Sequence, residues 1–207
     1  MTPQTEARIG PNAVTRVAEA VRAQAGARTA EALFQAAGLA HFLRAPPQEM
    51  VDEDDVVALH GALRGLLGPT AADAAAREAG LRTGDYLLTH RIPAPAQRLL
   101  RLLPPPLASR ALLGAIGRHA WTFAGSGVFT ATAGHPTQLR LENCPICRGV
   151  HSDAPTCGYF AATFERLFQA LVSRHARVTE TECAAMGAPA CAFAVHWRDN
   201  RRPNGAG

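Results

Sequence analysis

Several common signatures are missing from this 207-residue sequence. No apolar run approaches the roughly 20 residues of a membrane span, so we expect no transmembrane segment. The opening residues, MTPQTEARIGPNAV, lack the apolar core of a signal peptide, and a cytoplasmic location is therefore expected. Aromatic residues make up only 6% of the chain and do not interleave with its scattered arginines, so we expect no nucleic-acid partner.

Motifs for redox chemistry and for disulfides are also missing. The cysteines are odd in number, five, and all lie in the last third of the chain, so a disulfide framework is not expected. The stretch Gly125-Ser126-Gly127 lacks the third glycine and the following helix of a dinucleotide-binding turn. No run of cysteines has the spacing of an iron–sulfur site. The sequence therefore contains no evident motif for binding a reductant.

The first half of the chain has the pattern of helices. Apolar residues make up 47% of the sequence, enough for a packed core, and they recur here at helical spacing. Gly68-Pro69 predicts the end of one helix, and Gly80 and Gly84 predict interruptions of the next. Pro93, Pro95 and the prolines at 104–106 separate two shorter amphipathic helices.

The periodicity changes after His119. The β-branched and aromatic residues of 121–134 predict one strand, and the strict alternation of 138–142 predicts another, with a turn between them. A helix is predicted from Cys157, and two final strands are predicted over 176–183 and 191–197.

These elements predict one domain of the α/β (α+β) class. A helical N-terminal half packs on an antiparallel module of the order strand, strand, helix, strand, strand. The predicted boundaries are 1–118 for the helical part, 119–198 for the module and 199–207 for a flexible tail.

The predicted C-terminal hairpin carries a cysteine at each end. Cys183 and Cys191 can therefore approach each other, and Glu180 or Glu182 could add an oxygen ligand for zinc. Because side chains alternate along a strand, Glu180 and Cys183 can bind one ion only if the strand bends or ends near Thr181. The alternative is that both cysteines are core residues, since Cys191 shares a face with apolar neighbours in the following strand.

Three further cysteines lie between the predicted hairpins. Cys157 follows Thr156, a candidate helix N-cap, and the helix dipole favours a thiolate in the first turn. Cys144-Pro-Ile-Cys147 has the spacing of a zinc half-site, with His151 close behind. That pair could instead be a redox pair or two loop thiols.

Two segments resemble the four-vinyl-reductase domain family: PTCGYF at 155–160 and VTETECAAMGAPACAF at 178–193. The stretches IGPNAVTRVAEAV at 9–21 and TFERLFQALV at 163–172 extend the likeness over nearly the whole chain. The resemblance implies a ligand-binding fold related to trafficking-complex subunits and to the sensor domains of aromatic-responsive transcription activators.

The resemblance also implies a structural zinc. Its ligands fall here on Cys157, Glu180, Cys183 and Cys191, which selects Glu180 over Glu182. Cys144 and Cys147 lie outside the shared pattern, as extra cysteines or as alternative ligands that compete for the metal.

The family resemblance implies a role in bacteriochlorophyll synthesis. A closed zinc site leaves no position for a substrate. We therefore expect an accessory or carrier protein that binds a magnesium porphyrin or protochlorophyllide intermediate and presents it to the enzymes of the pathway, as a homodimer. Two alternatives stay open: a 4-vinyl reductase that uses an external reductant, and a small-molecule-sensing regulatory module that acts through a partner protein.

A flat macrocycle needs an apolar slot with aromatic walls and, for magnesium, a neutral imidazole. The candidates are His119, Trp121, Phe123 and Phe129, with His90 as a second imidazole. For each of them a role in the core or in local hydrogen bonding is the alternative.

Overall fold

The first half of the chain is helical, as its apolar periodicity predicts. The computed structural model describes residues 7–198, so the tail predicted at 199–207 lies outside the described residues. The elements of this half are β1 (Arg8–Ile9), α1 (Asn12–Ala25), α2 (Ala27–Ala36), α3 (His41–Arg44), β2 (Val51–Asp52), α4 (Glu53–His90), α5 (Ala94–Leu102) and α6 (Pro105–Arg118). The strands β1 and β2 pair with each other.

The long helix α4 agrees with its prediction at Gly68-Pro69 and differs from it at Gly80 and Gly84. The Asp52 side chain caps its start by accepting a hydrogen bond from the Asp54 amide at 2.9 Å. Gly68, with φ +73° and ψ 167°, is not helical, so the first helical segment ends at Gly68-Pro69 as predicted and a second segment follows directly. Gly80 and Gly84, in contrast, do not interrupt the second segment, so that part of the prediction is wrong. Both are buried, because the helix that follows the cysteine loop, α8 (Gly158–Leu171), packs directly against them.

The second half forms a four-stranded antiparallel sheet with one long helix. Its elements are α7 (Trp121–Ala124), β3 (Val128–Thr132), β4 (Thr137–Glu142), α8, β5 (Arg177–Glu182), a 3-10 turn (Ala184–Met186) and β6 (Cys191–His196). The spatial order of the strands is β3-β4-β6-β5. The mixed helix and sheet architecture confirms the predicted fold class.

One predicted strand is partly wrong. The pattern of residues 121–134 predicts a single strand, but Trp121–Ala124 is a short helix and only Val128–Thr132 pairs in the sheet. Gly125, at φ +58°, separates the two pieces. Its missing side chain leaves room for the Glu53 carboxylate, which a Cβ atom would meet.

Helix α8 lies between the sheet and α4. Its Phe164 ring packs against Phe193 of β6. The inner face of β4 is buried through Thr137, Leu139 and Leu141, whereas the residues between them point away from the core. On its other side α8 contacts α4, where Thr163 Oγ1 donates to the Gly80 carbonyl at 3.1 Å. This sandwich fixes where α8 begins, and therefore where Cys157 lies.

The boundary predicted near residue 118 stays a prediction. Within the described residues, no helix combines the length and the apolar character needed to cross a bilayer.

Candidate metal centre and ligand surface

All five cysteines meet at one buried point. Each is at most 3% exposed, and the chain contains no disulfide among them. They come from the loop after β4, the start of α8, the end of β5 and the start of β6: Cys144, Cys147, Cys157, Cys183 and Cys191. Two separate features of the sequence, the Cys-x2-Cys loop and the hairpin, are therefore one cluster in the structure.

The bend required near Thr181 is present. Glu180 pairs with Phe193 and Glu182 pairs with Ala192, so Thr181 is the extra residue of a β-bulge. The bulge reverses the alternation of side chains. As a result the Glu180 carboxylate and the Cys183 thiol reach the same side of the strand, which a regular strand would prevent.

The first donor group has the composition expected from the family resemblance. Ligand atoms of Cys157, Glu180, Cys183 and Cys191 all lie within 4.8 Å of one another. Glu180 Oε2 accepts a hydrogen bond from the Cys157 amide at 2.9 Å, whereas Oε1 is buried without any hydrogen-bond partner. A buried carboxylate oxygen without a partner is costly, and a bound cation would satisfy it. Three thiols and this oxygen fit a tetrahedral zinc ion.

The electrostatics of Glu180 agree with a cation site. Burial, assisted by the neighbouring Cys183, raises the pKa of the Glu180 carboxyl to about 8. A divalent ion at the centre of the group would reverse this effect, because it favours the charged carboxylate.

Cys157 is itself the N-cap of α8, so the expectation that Thr156 fills this position is wrong. The Thr156 hydroxyl lies instead 3.5 Å from Cys183 Sγ. The Glu180 carboxylate, not a hydroxyl, binds the free amide at the start of the helix.

The second donor group shares two members with the first. Cys144 and Cys147 join Cys157 and Cys191, with all four sulfurs within 4.8 Å of one another. Cys144 Sγ lies 3.5 Å from Cys157 Sγ, and Cys147 Sγ lies 3.3 Å from Cys191 Sγ. His151, which follows the pair in the sequence, is exposed and is not a member of either donor group.

Arg64 contacts the cysteine loop, and sequence reasoning did not predict this contact. Its Nη2 atom donates to the Ile146 carbonyl at 3.0 Å, in the turn between Cys144 and Cys147. Burial lowers the pKa of its guanidinium, and the neighbouring thiols oppose that effect. The available signal was an arginine on α4 next to the buried Leu63, within one turn of the buried His60.

A second network fixes the cysteine loop to α4. Arg148 Nη1 lies 2.7 Å from Glu53 Oε1 in a salt bridge, and Glu53 also accepts from the Ser126 hydroxyl at 2.7 Å. Glu53 is 6% exposed, so the carboxylate of this ion pair is shielded from water, whereas the Arg148 side chain is partly exposed. In the sequence this residue is recognisable only as part of an acidic helix start.

The proposed pigment-binding residues fall into two sets. Phe123 and Phe129 lie 5.3 Å apart between ring centroids and also contact Phe164, so they belong to an aromatic cluster at the edge of the core. His119 and Trp121 lie on the surface next to this cluster in sequence, and Trp121 is 62% exposed.

His90 lies apart from these residues in the sequence, at the end of α4. Its exposed ring packs against Tyr86, with the centroids 4.7 Å apart.

Two surface clefts are not lined by any of the proposed residues. One, of about 420 Å³, lies between α2 and α4 beside Ala36 and Ala62, and the other, of about 180 Å³, lies beside His135 and Trp197.

Comparisons with known proteins identify the family. Residues 137–197 match the four-vinyl-reductase domain, a range that contains both donor groups. The chain is 45% identical over 191 residues to the bacteriochlorophyll synthase 23 kDa chain of Cereibacter sphaeroides, covering 92% of this chain and 91% of that one. It is 37% identical to the protein of the same name from Rhodobacter capsulatus, covering 92% and 88%.

The fold also resembles that of a solved H-NOX protein from K. algicida. The TM-score is 0.57 over 93% of this chain and 98% of that one, at 10% identity, which shows a shared fold alone. By its identity with the two relatives and its four-vinyl-reductase domain, the chain belongs to the family of the bacteriochlorophyll synthase 23 kDa chain, the bacteriochlorophyll-synthesis protein J family.

Proposed function

We propose that this protein binds a tetrapyrrole intermediate of bacteriochlorophyll synthesis and presents it to enzymes of that pathway. The ligand would be a magnesium porphyrin or a protochlorophyllide. The sequence identity with two chains named bacteriochlorophyll synthase 23 kDa chain supports a role in this pathway. The structural observation that carries the proposal is a phenylalanine cluster that is packed but not fully covered. The homodimer stays a prediction.

The open side of this cluster lies at β3. Phe129 and Ala131 point toward the inner face of the sheet, because they pair with the buried residues Leu141 and Leu139. Phe129 is nevertheless only partly buried, and Ala131 is exposed. Helix α8 therefore does not close the inner face along β3. An apolar, aromatic edge of this kind is suited to one face of a flat macrocycle.

The hydrogen bonding of His119 supports its proposed role as the axial ligand. Its Nδ1 atom lies 2.9 Å from the Ala115 carbonyl oxygen. Because a carbonyl only accepts hydrogen bonds, Nδ1 carries the proton in this contact, and Nε2 of the neutral ring keeps its lone pair. That lone pair is what magnesium requires. The exposed indole of Trp121, two residues later, could cover part of the bound ring.

Zinc would have a structural role in this proposal. Bound by Cys157, Glu180, Cys183 and Cys191, it would join the β5–β6 turn to the start of α8. The same helix carries the phenylalanine rings that face Phe123. The metal site would therefore hold the aromatic wall in position, and it supplies no step of chemistry.

The pigment proposal is tested by titration of the purified full-length chain with divinyl protochlorophyllide. A saturable absorbance shift that ends near one pigment per chain is expected, without conversion of the pigment. The same mixture with NADPH or reduced ferredoxin tests the enzyme alternative. Conversion to the monovinyl form would establish a 4-vinyl reductase and overturn the carrier proposal, and the absence of both binding and conversion would contradict both.

Variants locate the site. His119→Ala and Phe129→Ala should each weaken pigment binding about tenfold, which corresponds to roughly 1.4 kcal/mol. The control is His151→Ala, since His151 is likewise exposed but lies outside the proposed surface. Loss of binding in His90→Ala together with an unaffected His119→Ala would move the axial ligand to His90.

The zinc is tested by elemental analysis together with unfolding in urea. Cys183→Ser should lose the metal of the first donor group and several kcal/mol of stability, because binding energy at a structural site is folding energy. Met186→Ser is the matched control, since Met186 lies in the same turn, is 50% exposed and offers no place in either donor group. Metal-free protein of undiminished stability would return the cysteines to the role of core residues.

A further inference from the structure

We propose that the cysteine cluster binds two zinc ions that share the thiolates of Cys157 and Cys191. The first ion would also be bound by Glu180 and Cys183, and the second by Cys144 and Cys147. This second position lies outside the pattern implied by the family resemblance. It does not depend on pigment binding.

The number of donors fits two ions and does not fit one. A tetrahedral zinc ion takes four ligands, so a single ion would leave two of the six buried donors unused. Two tetrahedra that share an edge use six donors, of which two bridge. The two residues common to both donor groups, Cys157 and Cys191, would be those bridges.

The sulfur positions fit a shared edge. Cys157 Sγ and Cys191 Sγ are 3.4 Å apart, far longer than a disulfide bond of about 2.05 Å. Two sulfurs at the usual zinc–sulfur distance of about 2.3 Å in a tetrahedron lie about 3.8 Å apart. Each bridging sulfur also has one further sulfur close by: Cys144 Sγ is 3.5 Å from Cys157 Sγ, and Cys147 Sγ is 3.3 Å from Cys191 Sγ.

Charge also favours the second ion. If the six buried donors are all deprotonated, they carry six negative charges, of which one zinc ion neutralises two and two zinc ions neutralise four. The Arg64 guanidinium adds a positive charge at the Cys144–Cys147 turn. With a single ion, Cys144 and Cys147 would have to stay as neutral thiols pressed against bound thiolates.

The loop that carries the second pair is already held in place. Arg64 binds the Ile146 carbonyl, and Arg148 binds Glu53 on α4, so the middle and the C-terminal end of the turn are attached to the same helix. On its N-terminal side the loop continues from β4, whose Leu141 pairs directly with Cys191. Binding would therefore require little rearrangement beyond release of the thiol protons to solvent.

The wild-type chain tests the proposal directly. Protein purified from zinc-containing medium should hold about two zinc ions per chain, each with a saturated ligand set. When cobalt replaces zinc, the paramagnetic resonance signal should grow with the first equivalent and fall with the second, because bridging thiolates couple the two spins. A zinc content of about one, uncoupled cobalt ions or bound iron with visible absorption would each overturn the shared-thiolate centre.

Variants separate the two positions. Cys144→Ser with Cys147→Ser should keep one zinc, and Glu180→Gln with Cys183→Ser should keep the other, whereas Cys157→Ser should lose both. Ile146→Val is the control, since it alters the packing of the same loop without removing a thiol. If the wild type holds one zinc and the Cys144/Cys147 variant still holds one, the second position is absent while the structural zinc stands. Pigment titration of the same samples reports on the proposed function separately.

Discussion

The contact between α4 and α8 gives a quantitative prediction at Gly80. A Cβ atom added there would overlap the Tyr159 carbonyl oxygen and lie 3.0 Å from the Ala162 Cβ atom. Gly80→Ala must therefore separate the two helices or distort one of them. The obstacle is backbone, which cannot turn aside as a flexible side chain could.

The expected cost follows from opposing effects. Overpacking of a well-packed contact costs about 1–3 kcal/mol, and the upper end applies to a clash with backbone. Weakening the hydrogen bond from Thr163 to the Gly80 carbonyl adds about 1 kcal/mol. The higher helix propensity of alanine offsets about 1 kcal/mol of this destabilisation. Gly80→Ala should therefore reduce the free energy of unfolding by about 3 kcal/mol.

Urea unfolding of the full-length chain measures this cost, and Gly61→Ala is the matched control. Gly61 lies in the first helical segment of α4 and is exposed, and a Cβ atom added there would meet no neighbouring element within 4 Å. Alanine at this position should therefore stabilise the protein by about 0.5–1 kcal/mol. Because α8 begins at the metal cluster, Gly80→Ala should also reduce the zinc content. If both variants stabilise the protein equally, the close approach of the helices is wrong.

Two other predictions concern buried titratable groups. Burial alone would raise the pKa of the Glu53 carboxyl, but hydrogen bonds from Arg148 and Ser126 outweigh it and lower the pKa. The charged Glu53 therefore stabilises the folded state at neutral pH, and this effect is lost in acid. Glu53→Gln should lower the free energy of unfolding, measured in urea at pH 7, by about 2 kcal/mol, and should make the loss of stability at low pH less steep. Burial lowers the pKa of His60 to about 3 from 6.5. Below pH 6.5 the unfolded chain binds a proton at His60 that the folded chain does not, so the free energy of unfolding should fall by up to ~1.4 kcal/mol per pH unit. If the free energy of unfolding of His60→Leu depends on pH as steeply as that of the wild type, this reasoning is wrong.

Much of the fold could be predicted from periodicity. The apolar spacing predicts α1 and α8, and the alternation of 138–142 predicts β4, because each pattern reflects one buried face. The prediction failed where tertiary contacts override local preference. Gly80 and Gly84 are suited to ending a helix, yet here they allow α8 to approach closely. The aromatic residues of Trp121–Ala124 resemble a strand, yet they form a helical turn.

The candidate site was predictable in part. Spacing identifies the hairpin cysteines as candidate ligands, and the alternation of a strand gives the requirement for a bend near Thr181, which the bulge meets. Neither spacing nor alternation brings the Cys144–Cys147 loop to the same point, since that depends on how β4 pairs with β6. Arg64 could not be assigned to the site either, because it lies 82 residues before the Ile146 carbonyl that it binds.

The sequence by itself determines most of the local elements, the types of donor atom and the family, because these depend on neighbouring residues and on direct likeness. Only the tertiary structure decides that the five thiols and Glu180 form one buried cluster with Cys157 and Cys191 at its centre. The physical reason is that a metal centre requires atoms within a few ångströms of each other. Strand register, the bulge and the packing of α8 between α4 and the sheet produce that proximity from residues distant along the chain.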